Sequence, residues 1–280
     1  MERAAYSALF SLTILLTIGG AAFAQANPAA PELTEGVDIT PVVGTQVPMD
    51  TTFVDEKGKV IKLSDYLDGE KPVLLSLGYY RCPMLCDLVL NGVVDGLKGV
   101  DWDPGDKFEM ITISIDPKET PTLAKLKKQN YVKTYGKAAA NKGWHFLTGE
   151  EESIKAIADA VGFHYRYDEK SNEYIHGAAV FLLTPDGKLS RCLRGIIFDP
   201  QTIRLSLAEA SEGKQVSTLD SLLLLCFHYD PDRGTYSLAA VGVMKLAGLA
   251  TLIGLSALLL PVWLRSRKKK PEMGEDREDG

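Results

Sequence analysis

An α/β fold built on a mixed sheet is the class this sequence predicts, and three observations predict it. The apolar run Val73 to Tyr80 reads as a strand in the middle of a sheet and leads straight into a helix-like stretch. A second, β-branched run, Phe108 to Ile115, is followed by a helix opening on Thr120-Pro121. Late in the chain, Ala178 to Thr184 and Lys188 to Ile197 frame Pro185-Asp186-Gly187, a turn between two strands.

The elements follow in order. Residues 25–45, with Pro28, Pro31 and Pro41, read as a flexible lead-in. Thr52 to Leu63 forms a hairpin turning at Lys57-Gly58. After the central strand, Asp87 to Leu97 is a helix ending at Gly99. The next helix runs from Pro121 to about Tyr135, with Thr120 as its N-cap, Pro121 at its first position and Gly136 as its stop. Gly143 to Leu147 is a short strand, and Glu151 to Val161 a helix closed by Gly162. The hairpin around Pro185-Asp186-Gly187 follows, then a last helix over Pro200 to Ala210. A strand that runs through a cysteine loop into a helix is the thioredoxin-like arrangement, with helices flanking the sheet.

Both ends of the chain address a membrane. Residues 4–24 are small and apolar, follow Arg3 and end in Ala22-Phe23-Ala24, so 1–24 reads as a secretory signal peptide or, if uncleaved, an N-terminal anchor. Near the other end, Leu246 to Leu264 is nineteen residues without a charge, followed by Arg265, Arg267, Lys268, Lys269 and Lys270. That length spans a bilayer core, and the basic cluster belongs on the cytoplasmic side. The expected organisation is a domain over 46–212, a juxtamembrane segment over 213–236, a transmembrane helix over 237–264 and a cytoplasmic tail over 265–280. The net charge of −6 gives no reason to expect a nucleic-acid partner. The four cysteines are too few and too unevenly spaced for a disulfide scaffold.

The chemistry centres on Cys82-Pro83-Met84-Leu85-Cys86. Two thiols four residues apart share one face of a helical turn. Near a helix N-terminus the positive end of the dipole favours thiolate. Such a pair can hold a soft metal ion or form a reversible disulfide. The three intervening residues leave room for a metal between the sulfurs and still permit the disulfide. Two thiolates with one imidazole suit Cu(I), whereas zinc wants a fourth ligand. His176 is the candidate third donor, placed just before the late hairpin, which is expected to return to the sheet edge near the cysteine loop. His145 and His164 are expected to be structural, and Cys192 to be a buried or edge thiol in a strand.

These residues carry a resemblance. Cys82-Pro83-Met84-Leu85-Cys86, Ser114-Ile115-Asp116-Pro117-Lys118-Glu119-Thr120-Pro121, and His176 ahead of Leu183-Thr184-Pro185-Asp186-Gly187 stand in an order similar to that of the SCO/SenC family of membrane-anchored copper proteins. The resemblance covers about residues 45 to 210. It implies a thioredoxin-like fold with copper held by Cys82, Cys86 and His176. It also implies either copper delivery to the binuclear site of cytochrome c oxidase subunit II or reduction of that site's cysteines, with Cys82 and Cys86 as the redox-active pair. Asp116 corresponds to an acidic loop position near the site in the family.

Two features depart from familiar members. Those anchor through an N-terminal helix, whereas this chain is expected to anchor at its C-terminus. The segment Leu225-Cys226-Phe227-His228 adds a Cys-x-His, read here as juxtamembrane packing, with an auxiliary copper relay as the alternative. The expected protein is a copper chaperone of the bacterial inner membrane with its domain in the periplasm. The rival is a thiol–disulfide oxidoreductase of the same fold, for which His176 is dispensable.

Overall fold

In the computed structural model, residues 36–67, 69–211, 227–230, 235–238 and 240–267 are described. The expected leader, most of the lead-in and Cys226 lie outside the described residues.

The core is a five-stranded sheet. It comprises β3 (Val73–Gly78), β4 (Glu109–Ser114), β5 (Trp144–Leu147), β8 (Ala179–Leu183) and β9 (Leu189–Arg194), in the spatial order β5-β4-β3-β8-β9. β3 pairs in parallel with β4 and antiparallel with β8, so the sheet is mixed and β3 is central, as the sequence suggests. Every residue of β3 is buried, because both faces of the sheet are covered. Alternation divides the strand: Leu74 belongs to one apolar cluster, while Val73, Leu75 and Leu77 belong to the other.

The Leu74 face is covered by α1 (Leu85–Lys98), α2 (Pro121–Tyr135) and α5 (Pro200–Ala210), through residues that include Val93, Leu97, Tyr131, Ile203 and Leu207. The short helix α3 (Ala140–Gly143) leads into β5. The opposite face packs against α4 (Glu151–Ala160), through Ile154 and Ile157, and against the hairpin of β1 (Thr52–Val54) and β2 (Val60–Lys62), through Phe53 and Ile61. Caps fix the helix starts. Thr120 Oγ1 accepts from Leu123 N at 3.4 Å and Asp199 Oδ2 from Thr202 N at 2.9 Å, each with proline at the first helical position. Gly92 of α1 admits close backbone contact: a Cβ there would lie 2.0 Å from the Ile196 carbonyl oxygen, so α1 can lie against the 195–198 loop.

The structure differs from expectation in three places. A further hairpin, β6 (Tyr165–Asp168) with β7 (Glu173–His176), stands apart from the main sheet and ends on His176. The β8–β9 hairpin returns to the middle of the sheet through β8, and only β9 forms an edge. Residues 38–46, read mostly as lead-in, are tied to the domain by Thr40 N to Gly162 O at 2.7 Å and His164 N to Asp38 O at 3.0 Å.

Beyond the domain, β10 (Phe227–Asp230) pairs with β11 (Thr235–Leu238), and α6 spans Ala240–Arg267. Among the fully described residues no helix is long and apolar enough to cross a membrane; those of α6 are 244, 245 and 247–261, all exposed.

Candidate metal centre

The cysteine loop is the link from β3 to α1. β3 ends at Gly78, a tight turn closes with Cys82 N bonding Tyr79 O at 3.2 Å, and α1 begins at Leu85. The helix starts two residues earlier than the sequence suggests, so Cys86 stands in its first turn. There its N–H has no partner within the helix. Cys82 Sγ accepts that N–H at 3.3 Å, so the first cysteine satisfies a donor in the opening turn of the helix carrying the second. Gly78 leaves room for the other sulfur: a Cβ there would lie 3.1 Å from Cys86 Sγ. Cys86 Sγ accepts the Tyr79 N–H at 3.4 Å.

His176 reaches this loop from the β6–β7 hairpin. The register pairs Tyr165 with His176 and Tyr167 with Tyr174, which puts three tyrosines and the histidine on one face of the ribbon. That face packs against the domain: Tyr79 lies 5.6 Å from Tyr174 and 6.3 Å from His176, and Phe163 5.7 Å from His176, between ring centroids. At the end of this ladder His176 Nε2 sits 3.1 Å from Cys86 Sγ. His176 Nδ1 lies 2.8 Å from the Gly177 carbonyl oxygen, which can only accept, so Nδ1 carries the proton. Nε2 is therefore the ring nitrogen turned to the thiols.

Cys82, Cys86 and His176 are 7%, 5% and 7% exposed, and their donor atoms all lie within 4.8 Å of one another. Among the described residues they form the one such group of three metal-ligating side chains. Both thiols are unbonded to each other. They share protons unequally. The bond from the Cys86 thiol, aided by His176 and by the backbone N–H groups of Cys86 and Met84, pulls Cys82 down to about 3 against the opposing effect of burial. Cys86 is pushed far up, because its proton serves Cys82 and burial disfavours a second thiolate. The site thus pairs a favoured Cys82 thiolate with a proton-bearing Cys86 thiol beside the His176 ring. It can release a proton to take a soft cation, or offer Cys82 as a nucleophile.

Of the other residues singled out, Asp116 lies near the site without touching the sulfurs. Its Oδ1 accepts from Lys118 N at 2.9 Å and from the Tyr174 hydroxyl at 3.4 Å, so it braces the β6–β7 hairpin. His145 stacks on Tyr66 with its Nε2 3.3 Å from Glu109, and His164 Nε2 lies 3.0 Å from the Thr40 hydroxyl. Cys192 is buried in β9, where burial pushes its thiol up to about 11.

Sequence reasoning missed Glu119 and Lys127. The Glu119 carboxylate accepts the N–H groups of Tyr80 and Arg81, at 2.7 and 2.8 Å, and the Ser114 hydroxyl at 2.6 Å. Lys127 Nζ bonds the Tyr80 carbonyl at 3.0 Å and Asp87 at 2.5 Å. The only trace of this in the sequence is that Glu119 falls inside the motif from Ser114 to Pro121.

Residues 44–211 match the family model described as SCO1/SenC. The chain is 28% identical over 143 residues to "Protein SCO2 homolog, mitochondrial" of Bos taurus, covering 49% of this chain and 50% of that protein. It thus spans about half the length of this curated relative. A solved structure of an electron-transfer candidate from Aquifex aeolicus VF5 superposes with a TM-score of 0.54 at 27% identity, over 61% of this chain and 95% of that one.

Proposed function

The chain belongs to the SCO1/SenC family, and from that premise we propose that it is a copper-binding assembly factor for cytochrome c oxidase. One Cu(I) is held by Cys82, Cys86 and Nε2 of His176 and passed to the binuclear copper site of subunit II. One observation carries the reading: an imidazole nitrogen and two sulfurs, all from buried residues, converge within 4.8 Å. Two soft sulfurs and one nitrogen suit Cu(I), which is content with three ligands. Zinc is less well served, because it prefers four ligands and the described residues bring no fourth to the cluster.

Copper here is cargo. The Cys86 proton leaves as the ion enters, and an incoming thiolate of the acceptor can replace one ligand at a time. The Gly177 carbonyl keeps Nε2 presented throughout. Anchoring follows from the sequence: α6 contains the uncharged stretch Leu246 to Leu264, and the basic cluster beginning at Arg265 marks its cytoplasmic end. With residues 1–24 as an export signal, the domain faces the periplasm from a bacterial inner membrane.

A second reading, thiol–disulfide reduction of the acceptor, is favoured by one observation, the low-lying Cys82 thiol beside a proton-bearing Cys86. Cys82 would attack a disulfide of the partner and release one partner thiol. Cys86, losing its proton, would then displace the second and close a Cys82–Cys86 disulfide. Mixing the copper-loaded domain with the reduced copper-site domain of subunit II separates the readings. Copper delivery predicts transfer of the metal; failure to transfer, together with reduction of the oxidised acceptor by the metal-free dithiol, assigns the reductase.

A further inference from the structure

We propose that Glu119 and Lys127 are positioning residues that set the spacing of the Cys82 and Cys86 sulfurs from outside the ligand set; the proposal rests on the metal-binding reading above. Glu119 is 5% exposed and lies between β4 and α2. Its Oε2 accepts Tyr80 N at 2.7 Å and the Ser114 hydroxyl at 2.6 Å, and its Oε1 accepts Arg81 N at 2.8 Å. These are the two peptide N–H groups immediately before Cys82.

Lys127, two turns along α2, holds the rest of the loop. It donates to the Tyr80 carbonyl at 3.0 Å and to Asp87, the residue after Cys86, at 2.5 Å. The chain from Tyr80 to Asp87 is therefore strung between two charged groups on one rigid segment. The hydrogen bonds of both groups go to Tyr80, Arg81, Ser114 and Asp87, and to neither sulfur nor His176.

The chemistry requires a carboxylate. Three donors point at Glu119, and a carboxylate accepts at both oxygens. An amide accepts at one oxygen only. Glu119→Gln must turn its NH₂ group towards a donor on one side, and either the Arg81 side or the Tyr80–Ser114 side is left unmatched. The size is almost unchanged, so the substitution loosens the loop without opening a cavity.

The loosened loop has opposite consequences for the two fates of the thiols. In the clamped loop the sulfurs are close but unbonded, a spacing that admits a metal between them. A disulfide needs them about 2.0 Å apart and therefore needs the loop to move. Preorganisation lowers the cost of binding copper and raises that of closing the disulfide. Releasing the clamp weakens copper and favours the disulfide, whereas general damage weakens both.

The test uses the full chain in detergent, as wild type, Glu119→Gln and Lys127→Met. Cu(I) affinity is measured against a chromophoric Cu(I) chelator. The oxidation equilibrium is measured in glutathione buffers, where the protein dithiol and glutathione disulfide give the protein disulfide and two glutathione thiols. Mass spectrometry assigns the disulfide to Cys82 and Cys86.

The expected result is that Glu119→Gln keeps one copper per chain, binds it at least tenfold more weakly and raises the oxidation equilibrium constant at least threefold. Unchanged values, or both falling together, overturn the proposal while leaving the copper reading intact. A wild type that binds no copper sinks that reading instead, and the glutathione arm still decides the clamp. Should Glu119→Gln fail to fold, Lys127→Met carries the same pair of readouts, with changes in the same directions.

Discussion

His176 Nε2 lies 3.1 Å from Cys86 Sγ, although the two residues are 90 positions apart. Two independent pieces of structure meet there. The cysteine comes from the first turn of α1 at the end of the central strand, and the histidine from the last position of a two-stranded ribbon. Tyrosine packing on the face of that ribbon and one carbonyl behind the imidazole hold Nε2 on the thiols.

The unequal thiols predict the pH behaviour. Cys82 is drawn from 9.0 to about 3 on folding, while Cys86 is driven upward. Between those limits the unfolded chain binds one proton more than the folded pair, so this pair's contribution to stability grows as pH rises from about 3 towards 9.0. Above that the unfolded thiols both ionise while Cys86 keeps its proton, and the contribution falls. Ultraviolet thiolate absorbance of the reduced, metal-free domain should show one thiolate already present at about pH 6, well below an ordinary thiol titration. That absorbance should vanish in Cys82→Ser; absorbance that first rises near an ordinary thiol pKa in the wild type contradicts the assignment.

Gly78 should act as a spacer for the second sulfur. In Gly78→Ala the new Cβ would stand 3.1 Å from Cys86 Sγ and 3.2 Å from its Cβ, so Cys86 must shift. Overpacking of this kind costs about 1–3 kcal/mol. Cu(I) affinity should fall about tenfold, equivalent to about 1.4 kcal/mol. Competition titration checks it, and wild-type affinity in Gly78→Ala would show that the sulfur does not rely on this space.

The Lys128–Glu56 pair should matter for stability and not for metal. The ammonium lies 2.6 Å from the carboxylate with both side chains buried, joining α2 to the turn between β1 and β2. Lys128→Met strands a buried carboxylate and should cost about 3–5 kcal/mol in urea unfolding. Adding Glu56→Gln should recover a substantial part of the loss. A single variant as stable as wild type would mean that water already reaches Glu56.

The central strand was legible because it carries a continuous apolar run, and the start of α2 because Thr120-Pro121 is a cap signal in itself. The thiol pair was legible from its spacing. The β6–β7 hairpin was not. Its strands are four residues each, largely polar, and the turn between them places Asn172 at φ 58° with no glycine to mark it. Its strand signal is the alternation of Tyr165, Tyr167, Tyr174 and His176, which gains meaning only when that face packs on Tyr79. Glu119 was hidden for a related reason: a carboxylate that binds peptide N–H groups 38 and 39 positions away leaves no local pattern.

The membrane proposal is tested by truncation. The full chain should stay with the membrane fraction until detergent is added, and residues 27–236 should remain in aqueous solution. A full chain that is released by high salt alone would show that α6 is not an anchor.

The central claim is most directly tested by Cu(I) binding to residues 27–236 under a competing chelator, with wild type beside His176→Ala and Cys82→Ala/Cys86→Ala. The account predicts one tightly bound copper in the wild type, at least tenfold weaker binding in His176→Ala, and no tight binding in the double cysteine variant. Wild-type affinity and spectrum in His176→Ala, or no copper retained by the wild type, would contradict it.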